Sequence, residues 1–374
     1  MPEFAWERLR RAPDVEAPNL FAFDATDRLL TEWALSTGIP GPEIVVVGDE
    51  YGAITLRLAH AGRAGIRVYQ DLATGRRALA RNATALGLGG FAAAPWGPEM
   101  LAGARLVLVQ LPKSLAELDE IADAVARWAA PDVVLVAGGR VKHMTLAQNE
   151  VLARYFSQVQ PQRAAQKSRL IVAAEARAVP AEPPFPVWAD AAGLRVAAHG
   201  GVFAGAKLDI GTRALWEMLP EVAADEEFAA VDLGCGTGIL AATLSVHHPT
   251  ARVIATDRSA AAVRSAQATM AANGLADRVT VTHDDAGSEL PAESADLVLL
   301  NPPFHLGTSV HKSAATRLFE ASARLLKPGG QLWAVWNSSL AYRPQLERLI
   351  GPTEQRARNS KFTVTRSVRR VSNR

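Results

Sequence analysis

The strongest constraint on this chain is that it is written twice. A short apolar run, IVVV at residues 44–47, is followed by GDEYGAITLRLA. A second, AAVDL at 229–233, is followed by GCGTGILAATLS. Each predicts a buried strand, a tight glycine turn and an amphipathic helix. Gly48 and Gly52 of the first copy match Gly234 and Gly238 of the second. The register then persists. Asp71, ending IRVYQD, lies 23 residues after Gly48, and Asp257, ending RVIATD, lies 23 after Gly234. LVLVQLPKS places Gln110 after an apolar strand where LVLLNPPFH places Asn301. Ser168 follows Gln110 by 58 residues, and Ser360 follows Asn301 by 59. Four anchors at near-equal spacing are not a chance match.

Helical segments at 72–86 and 260–273 follow the two acidic strand ends, and segments at 114–128 and 313–326 follow the third anchor. Strands alternating with helices predict an α/β fold with an open, mostly parallel sheet in each half, closed by an antiparallel pair at its C-terminal end. A length of 374 residues suits two such Rossmann-like domains. Residues 179–186, VPAEPPFP, carry four prolines and can be neither helix interior nor central strand. The expected domains are therefore 1–182 and 187–374, with a β-hairpin opening the second.

Composition removes several classes of protein. At 49% hydrophobic and 21% charged residues the chain can bury a sizeable core. No apolar run reaches the roughly 18 residues of a membrane span, and the N-terminal MPEFAWERLRRAP lacks a signal-peptide core. A lone cysteine, Cys235, excludes an internal disulfide framework, and His283 and His311 have no ligand-like spacing. A cytoplasmic protein with no membrane partner and no metal is expected, and a monomer is the working expectation. The net charge of +2 conceals an asymmetry. Residues 355–374 hold seven basic residues (Arg356, Arg358, Lys361, Arg366, Arg369, Arg370 and Arg374) and no acid, leaving the first 354 residues at −5. Such a cluster reads equally as a footprint for a polyanion and as a solvated tail.

The chemistry concentrates in the second copy. VDLGCGTG supplies Asp232, Gly234, Cys235, Gly236 and Gly238 at a strand end that opens a helix. Glycines there let a ligand approach the backbone, and the helix N-terminus offers unpaired N–H groups. An acid at the next strand end, Asp257, can accept both hydroxyls of a ribose. The dinucleotide pattern G-x-G-x-x-G does not fit, because Ile239 stands at its third position. D-x-G-x-G-x-G instead resembles motif I of the S-adenosylmethionine (SAM) methyltransferases, in which a further acid takes the adenine amino group. Asp285 is the candidate for that role and Asp284 its competitor. Phe203, Asp209 and Thr212, ahead of the motif, are candidate cofactor neighbours, with core packing an equal prospect for Phe203.

Asn301, Pro302, Pro303 and Phe304 form the most informative tetrapeptide. It follows a strand and so lies at the C-terminal edge of the sheet. The Asn301 carboxamide oxygen and the Pro302 carbonyl can both accept from one planar NH₂ group. That geometry favours pyramidalisation and aims the nitrogen lone pair at a methyl donor, while Phe304 can stack on a base. Positioning and electrostatics then carry the catalysis without a strong general base. The first copy has lost these features. It has Val46 for Asp232, Glu50 for Gly236, and Gln110-Leu111-Pro112-Lys113 for the tetrapeptide. It is expected to keep the fold without the reaction, and its Lys113, Arg76, Arg77 and Arg81 suit either phosphate contact or a solvated face.

Over nearly its whole length the chain resembles the ribosomal RNA guanine-N2 methyltransferases of the RsmC/RlmG group. FDATDRLL, LPKSLAELD, VFAGAKLDIGTRALWEMLPE, VDLGCGTG and NSKFTVTRSV carry the likeness, and LAYRPQLERLIG and KFTV bring it closer to the large-subunit branch. The resemblance implies two tandem class I SAM-dependent methyltransferase domains, the first degenerate. It also implies methyl transfer from SAM to the exocyclic N2 of a guanine in ribosomal RNA, in 23S rather than 16S RNA. Asn301, Pro302, Pro303 and Phe304 would hold the flipped base, and Asp232, Gly234, Cys235, Gly236, Gly238, Asp257, Asp285 and Phe203 the cofactor. Two other readings share parts of this pattern: an N-methyltransferase acting on adenine or a protein glutamine, and a non-enzymatic RNA-binding or ribosome-assembly protein.

Overall fold

The computed structural model describes residues 3–222, 227–302 and 309–371. Pro303, Phe304, His305 and Arg374 lie outside the described residues. Contacts divide the chain into two compact units, Met1–Phe185 and Pro186–Arg374.

The first unit runs α1 (Ala25–Ser36), β1 (Ile44–Val47), α2 (Ala53–His60), β2 (Ile66–Tyr69), α3 (Ala73–Leu86), β3 (Phe91–Ala93), α4 (Pro98–Leu101), β4 (Leu106–Gln110), α5 (Leu115–Trp128), β5 (Val134–Arg140), α6 (Leu146–Tyr155), β6 (Phe156–Pro161) and β7 (Ser168–Ala176). The second opens with the hairpin β8 (Val187–Ala191) and β9 (Leu194–Ala198). It continues through α7 (Ile210–Trp216), β10 (Ala229–Leu233), α8 (Ile239–His247), β11 (Arg252–Asp257), α9 (Ala260–Ala272), β12 (Val279–His283) and β13 (Ala295–Leu300). It closes with α10 (Ser309–Leu325), β14 (Leu326–Asn337), α11 (Arg343–Leu349), β15 (Thr353–Arg358) and β16 (Phe362–Val368).

The two main sheets have the same seven-strand path, β3-β2-β1-β4-β5-β7-β6 and β12-β11-β10-β13-β14-β16-β15. In each, five strands are paired in parallel and the sixth in order, β7 or β16, runs antiparallel to both of its neighbours. Every residue of β1 is buried, as required of a strand covered on both faces. The strand order reverses between β10 and β13, which opens a crevice at their C-terminal ends.

The ladders test the repeat residue by residue. Val46 lies opposite Leu108 and, in the second sheet, Asp232 lies opposite Leu299; since Leu108 and Leu299 each stand two residues before the third anchor, Val46 does stand where Asp232 stands. The fourth anchor is displaced. Ala137 pairs with Ile171 and its counterpart Ala334 with Thr365, which puts Ser168 in the place of Phe362, not Ser360. A longer crossover into β14 and a shorter return to β16 partly cancel in the sequence count, which hides the offset.

The turn ahead of each second helix is set by one glycine. Gly52 and Gly238 occupy the N-cap position with φ of 86° and 77°, a region costly for any residue with a Cβ. Each is also pressed against the following helix. A Cβ on Gly52 would meet Leu79 Cδ1 at 2.5 Å, and one on Gly238 would meet Met270 Cε at 2.8 Å and Ala266 Cβ at 3.0 Å. The β8–β9 turn, Ala192-Gly193, has φ of 55° and 75°, the pattern of a two-residue turn that matches strand twist. This hairpin docks on α9, where the Ala197 N–H donates to Thr269 Oγ1 (3.1 Å) and the His199 N–H to Ser265 Oγ (2.9 Å).

The basic C-terminal stretch is folded sheet. β15 and β16 carry most of it, and its arginines have local partners. Arg356 pairs with Glu221 (2.7 Å), Arg366 with Glu354 (3.7 Å) and Arg369 with Glu293 (2.8 Å), while Arg370 donates to the Glu347 and Arg348 carbonyls. Of the two readings of this stretch, the solvated tail does not hold for Arg356, Arg366, Arg369 and Arg370, which are tied to the folded sheet. Trp333 and Trp336 are buried in the second core with Phe319 and Leu346. Among the described residues no helix is long and apolar enough to cross a membrane.

Replacing Gly238 by alanine combines left-handed strain with a contact against Met270 and Ala266. The expected loss is about 2–4 kcal/mol. A urea titration of the second unit's transition checks it, and an unchanged midpoint would contradict the packing argument.

Candidate active site

The site is built at the C-terminal ends of β10, β11, β12 and β13. After β10 the chain turns sharply and is pinned to β11. The N–H groups of Gly234 and Cys235 both donate to the Thr256 carbonyl, at 2.8 and 3.1 Å. The Gly238 N–H returns to the Cys235 carbonyl (2.8 Å) and launches α8. Asp257 ties this turn to the next, with Oδ2 accepting from the Gly236 N–H (3.0 Å) and Oδ1 from the Ser259 N–H (2.9 Å).

The three glycines divide by role. Gly234 and Gly236 have φ of 79° and 55°, and a Cβ on either would meet nothing within 4 Å. Their backbone is bare on the crevice side, as a close-approaching ligand requires. Gly238 is the packing glycine described above. Cys235 turns its side chain into the core, where burial raises its thiol pKa well above the ordinary value. It is an inert filler, and only its backbone faces the turn.

Asp232 is buried, and its Oδ2 accepts from the Ala241 N–H inside α8 (3.1 Å). Desolvation outweighs that bond and, with the Asp257 charge nearby, pushes its pKa up to about 7. A cation brought beside Asp232 would favour the ionised form.

After β12 the two adjacent acids separate cleanly. Asp284 is consumed by its own turn. It accepts from the Asp285 N–H (2.7 Å), the Ser288 hydroxyl (2.7 Å) and the Glu289 N–H (2.8 Å). Asp285 is buried and forms an ion pair with Arg317 of α10. Nothing in the local sequence marked Arg317, because α10 reaches this acid only through the fold.

Asn301 follows β13 immediately. Its Nδ2 donates to Thr212 Oγ1 (2.8 Å) and to Asp209 Oδ2 (3.2 Å). Asp209 is the N-cap of α7, accepting from the Thr212 N–H (2.9 Å) and the Thr212 hydroxyl (3.0 Å). The other end of the amide, Oδ1, is buried and has no hydrogen-bond partner among the described residues. Pro302 beside it is buried, while Pro303 and Phe304 lie outside the described residues. Asp209 and Thr212 had been expected beside the cofactor, and the structure joins them to Asn301. The D-x-x-T spacing before a helix is a capping signature, but the sequence does not say what else a cap will hold. Phe203 stands 71% exposed on the loop before α7. His248, at the end of α8, packs edge-on against Phe228 at 5.2 Å between ring centroids.

The first unit keeps an echo of this arrangement. Gln110 Nε2 donates to Asp27, a buried acid in the first turn of α1, and Glu50 occupies the turn position of Gly236. The amide-to-carboxylate pairing survives there without the bare glycine turn.

Residues 193–366 match the methyltransferase small domain family and residues 2–177 the RLMG N-terminal domain family. A protein of Streptomyces avermitilis named ribosomal RNA large subunit methyltransferase G is 33% identical, over 97% of each chain. One of the same name from Ectopseudomonas mendocina is 36% identical, over 97% of this chain and 98% of its own. Among solved structures, a T. thermophilus 16S rRNA N2 G1207 methyltransferase (RsmC), determined with AdoMet and guanosine, superposes with a TM-score of 0.74. It covers 93% of this chain and 92% of its own at 24% identity, a likeness of fold.

The raised Asp232 pKa makes a pH prediction. The folded state holds this proton between about 3.8 and 7, where the unfolded chain has released it. Its contribution to stability is therefore complete below about pH 3.8 and lost as the pH rises toward 7. Ligand-free wild type should lose stability relative to Asp232→Asn across that interval, with the difference level above it. Parallel urea midpoints of the two proteins from pH 5 to 8 measure this, and a constant difference would refute it.

Proposed function

Because the chain belongs to the ribosomal RNA large subunit methyltransferase G family, we propose that it is a cytoplasmic SAM-dependent enzyme that methylates the exocyclic N2 of a guanine in large-subunit ribosomal RNA. The observation that carries the reading is the Asn301 carboxamide. Its NH₂ end is tied down, and its oxygen is buried and unpartnered at the sheet's switch point. A buried acceptor without a donor is costly, on the order of 1–3 kcal/mol, and an incoming amine would relieve that cost.

The residues present suit SAM. Gly234 and Gly236 leave backbone bare, Asp232 answers a cationic group, and Asp257 stands where ribose hydroxyls would be accepted. Asp285, the candidate for the adenine amino group, would share its carboxylate between that group and Arg317. Bound there, SAM supplies an electrophilic methyl on a sulfonium. Asn301 Oδ1 and the Pro302 carbonyl accept from the two hydrogens of the guanine N2 and draw its lone pair out of conjugation with the ring. SAM held there would offer its sulfonium methyl to N2, sulfur keeping the carbon–sulfur pair, and the surplus N2 proton would leave to water. A guanine must quit its stack to reach this crevice. Pro303 and Phe304 complete the proposed base-holding motif.

Incubation with labelled SAM and unmodified ribosomal RNA, followed by nucleoside analysis, should place label in N2-methylguanosine of 23S RNA. Label in another nucleoside would sink the reading. Asn301→Ala should bind SAM normally and lose at least about 100-fold in turnover, as when a comparable stabilising group is removed. Retained turnover would discard the acceptor role.

A further inference from the structure

We propose that Asp209 and Thr212 are positioning residues for the transfer, fixing which end of the Asn301 amide meets the substrate and strengthening that end as an acceptor. The inference rests on the reading of Asn301 above and extends it to two residues that touch neither base nor cofactor in the argument.

The orientation follows from donor and acceptor chemistry. An ionised carboxylate can only accept, so the atom of Asn301 lying 3.2 Å from Asp209 Oδ2 must be the NH₂ nitrogen. The Thr212 hydroxyl spends its single hydrogen on Asp209 Oδ2 (3.0 Å) and so presents only a lone pair to Asn301 Nδ2 at 2.8 Å. Both neighbours therefore reject the flipped amide, which would set oxygen against oxygen twice. Oδ1 is left facing away from them, buried and unpartnered. Without this pair an asparagine amide could turn over and offer two hydrogens to an amine that must itself donate.

Charge adds to orientation. Asp209 Oδ2 gathers the Thr212 N–H, the Thr212 hydroxyl and the Asn301 amide, three donors on one oxygen. A negative charge on the NH₂ side of an amide pushes electron density onto its oxygen, as in other polarised hydrogen-bond chains. The substrate nitrogen gains positive charge as it bonds to the methyl carbon. A more basic Oδ1 is therefore worth more in the transition state than in the ground state, and the effect belongs in kcat. The pairing of Gln110 with Asp27 in the first unit argues that the fold itself brings an early-helix acid to the amide after the fourth strand.

The test separates the role from a structural one, because Asn is as good a helix cap as Asp. Asp209→Asn should keep α7 and its thermal midpoint, bind SAM within twofold of wild type, and keep its KM for RNA within threefold. Its kcat should fall at least tenfold. Thr212→Val should lose about tenfold in kcat, and Thr212→Ser, which restores the hydroxyl, should return to within threefold of wild type. If Asp209→Asn failed to fold, the Thr212 pair would decide alone. Full kcat in Asp209→Asn, or equal loss in Thr212→Ser and Thr212→Val, would overturn the proposal. So would a kcat loss matched by lost SAM affinity, which would place Asp209 in the cofactor site. An inactive wild-type protein would overturn the functional reading and this inference with it. An active wild type with unaffected variants would overturn the inference alone.

Discussion

A hydrogen-bond acceptor stripped of water and given no donor is unstable unless its surroundings hold it there, and Asn301 Oδ1 is such an acceptor. Its retention depends on structure far away in the sequence. Asp209 and Thr212 lie about ninety residues upstream and reach Asn301 only because α7 begins beside the end of β13. That position is set by the packing of α7 on β14 and β16, beside β13 in the sheet. The sheet seats α7, α7 brings its cap to Asn301, and the cap fixes the amide.

The two copies show what the fold demands and what the chemistry adds. Both retain the seven-strand path, the left-handed glycine at the second helix and an amide paired to an early-helix acid. The glycine is a folding requirement, since Gly52 and Gly238 each sit where a Cβ would strike the neighbouring helix. The second copy alone has the buried acid Asp232 and the open-faced Gly236. Both features burden stability: a desolvated carboxylate costs free energy, and glycine adds chain entropy to the unfolded state. The first copy has Val46 and Glu50 at those places and so lacks the bare glycine, but it still buries a carboxylate in the turn: Asp49 accepts from the Ile54 and Thr55 N–H groups, and desolvation raises its pKa.

Much of this was legible in the sequence because it is local or periodic. The strand-turn-helix units, the duplicated spacing and the glycine-rich turn follow from residue patterns over short spans. The ladder offset at Ser168 was hidden because two length differences of opposite sign partly cancelled. The pairing of Asp285 with Arg317, the choice of Asp284 as turn cap and the grip of Asp209 on Asn301 depend on where helices land, which periodicity does not report. Phe203 shows the same limit: its place in the chain suggested a cofactor neighbour or a core residue, while its side chain stands largely exposed.

The C-terminal basic residues carry the same lesson into electrostatics. Seven positive charges in twenty residues look like a polyanion site when counted along the chain. In space, Arg356 and Arg369 face Glu221 and Glu293 from distant parts of the sequence, and Arg366 faces Glu354 on the neighbouring strand β15. Exposed pairs of this kind contribute at most about 1 kcal/mol each to stability. Three of the seven positive charges are thereby paired with carboxylates, so a count along the chain overstates the field at this edge. A net charge summed along a sequence describes a surface only where the fold leaves its residues unpaired.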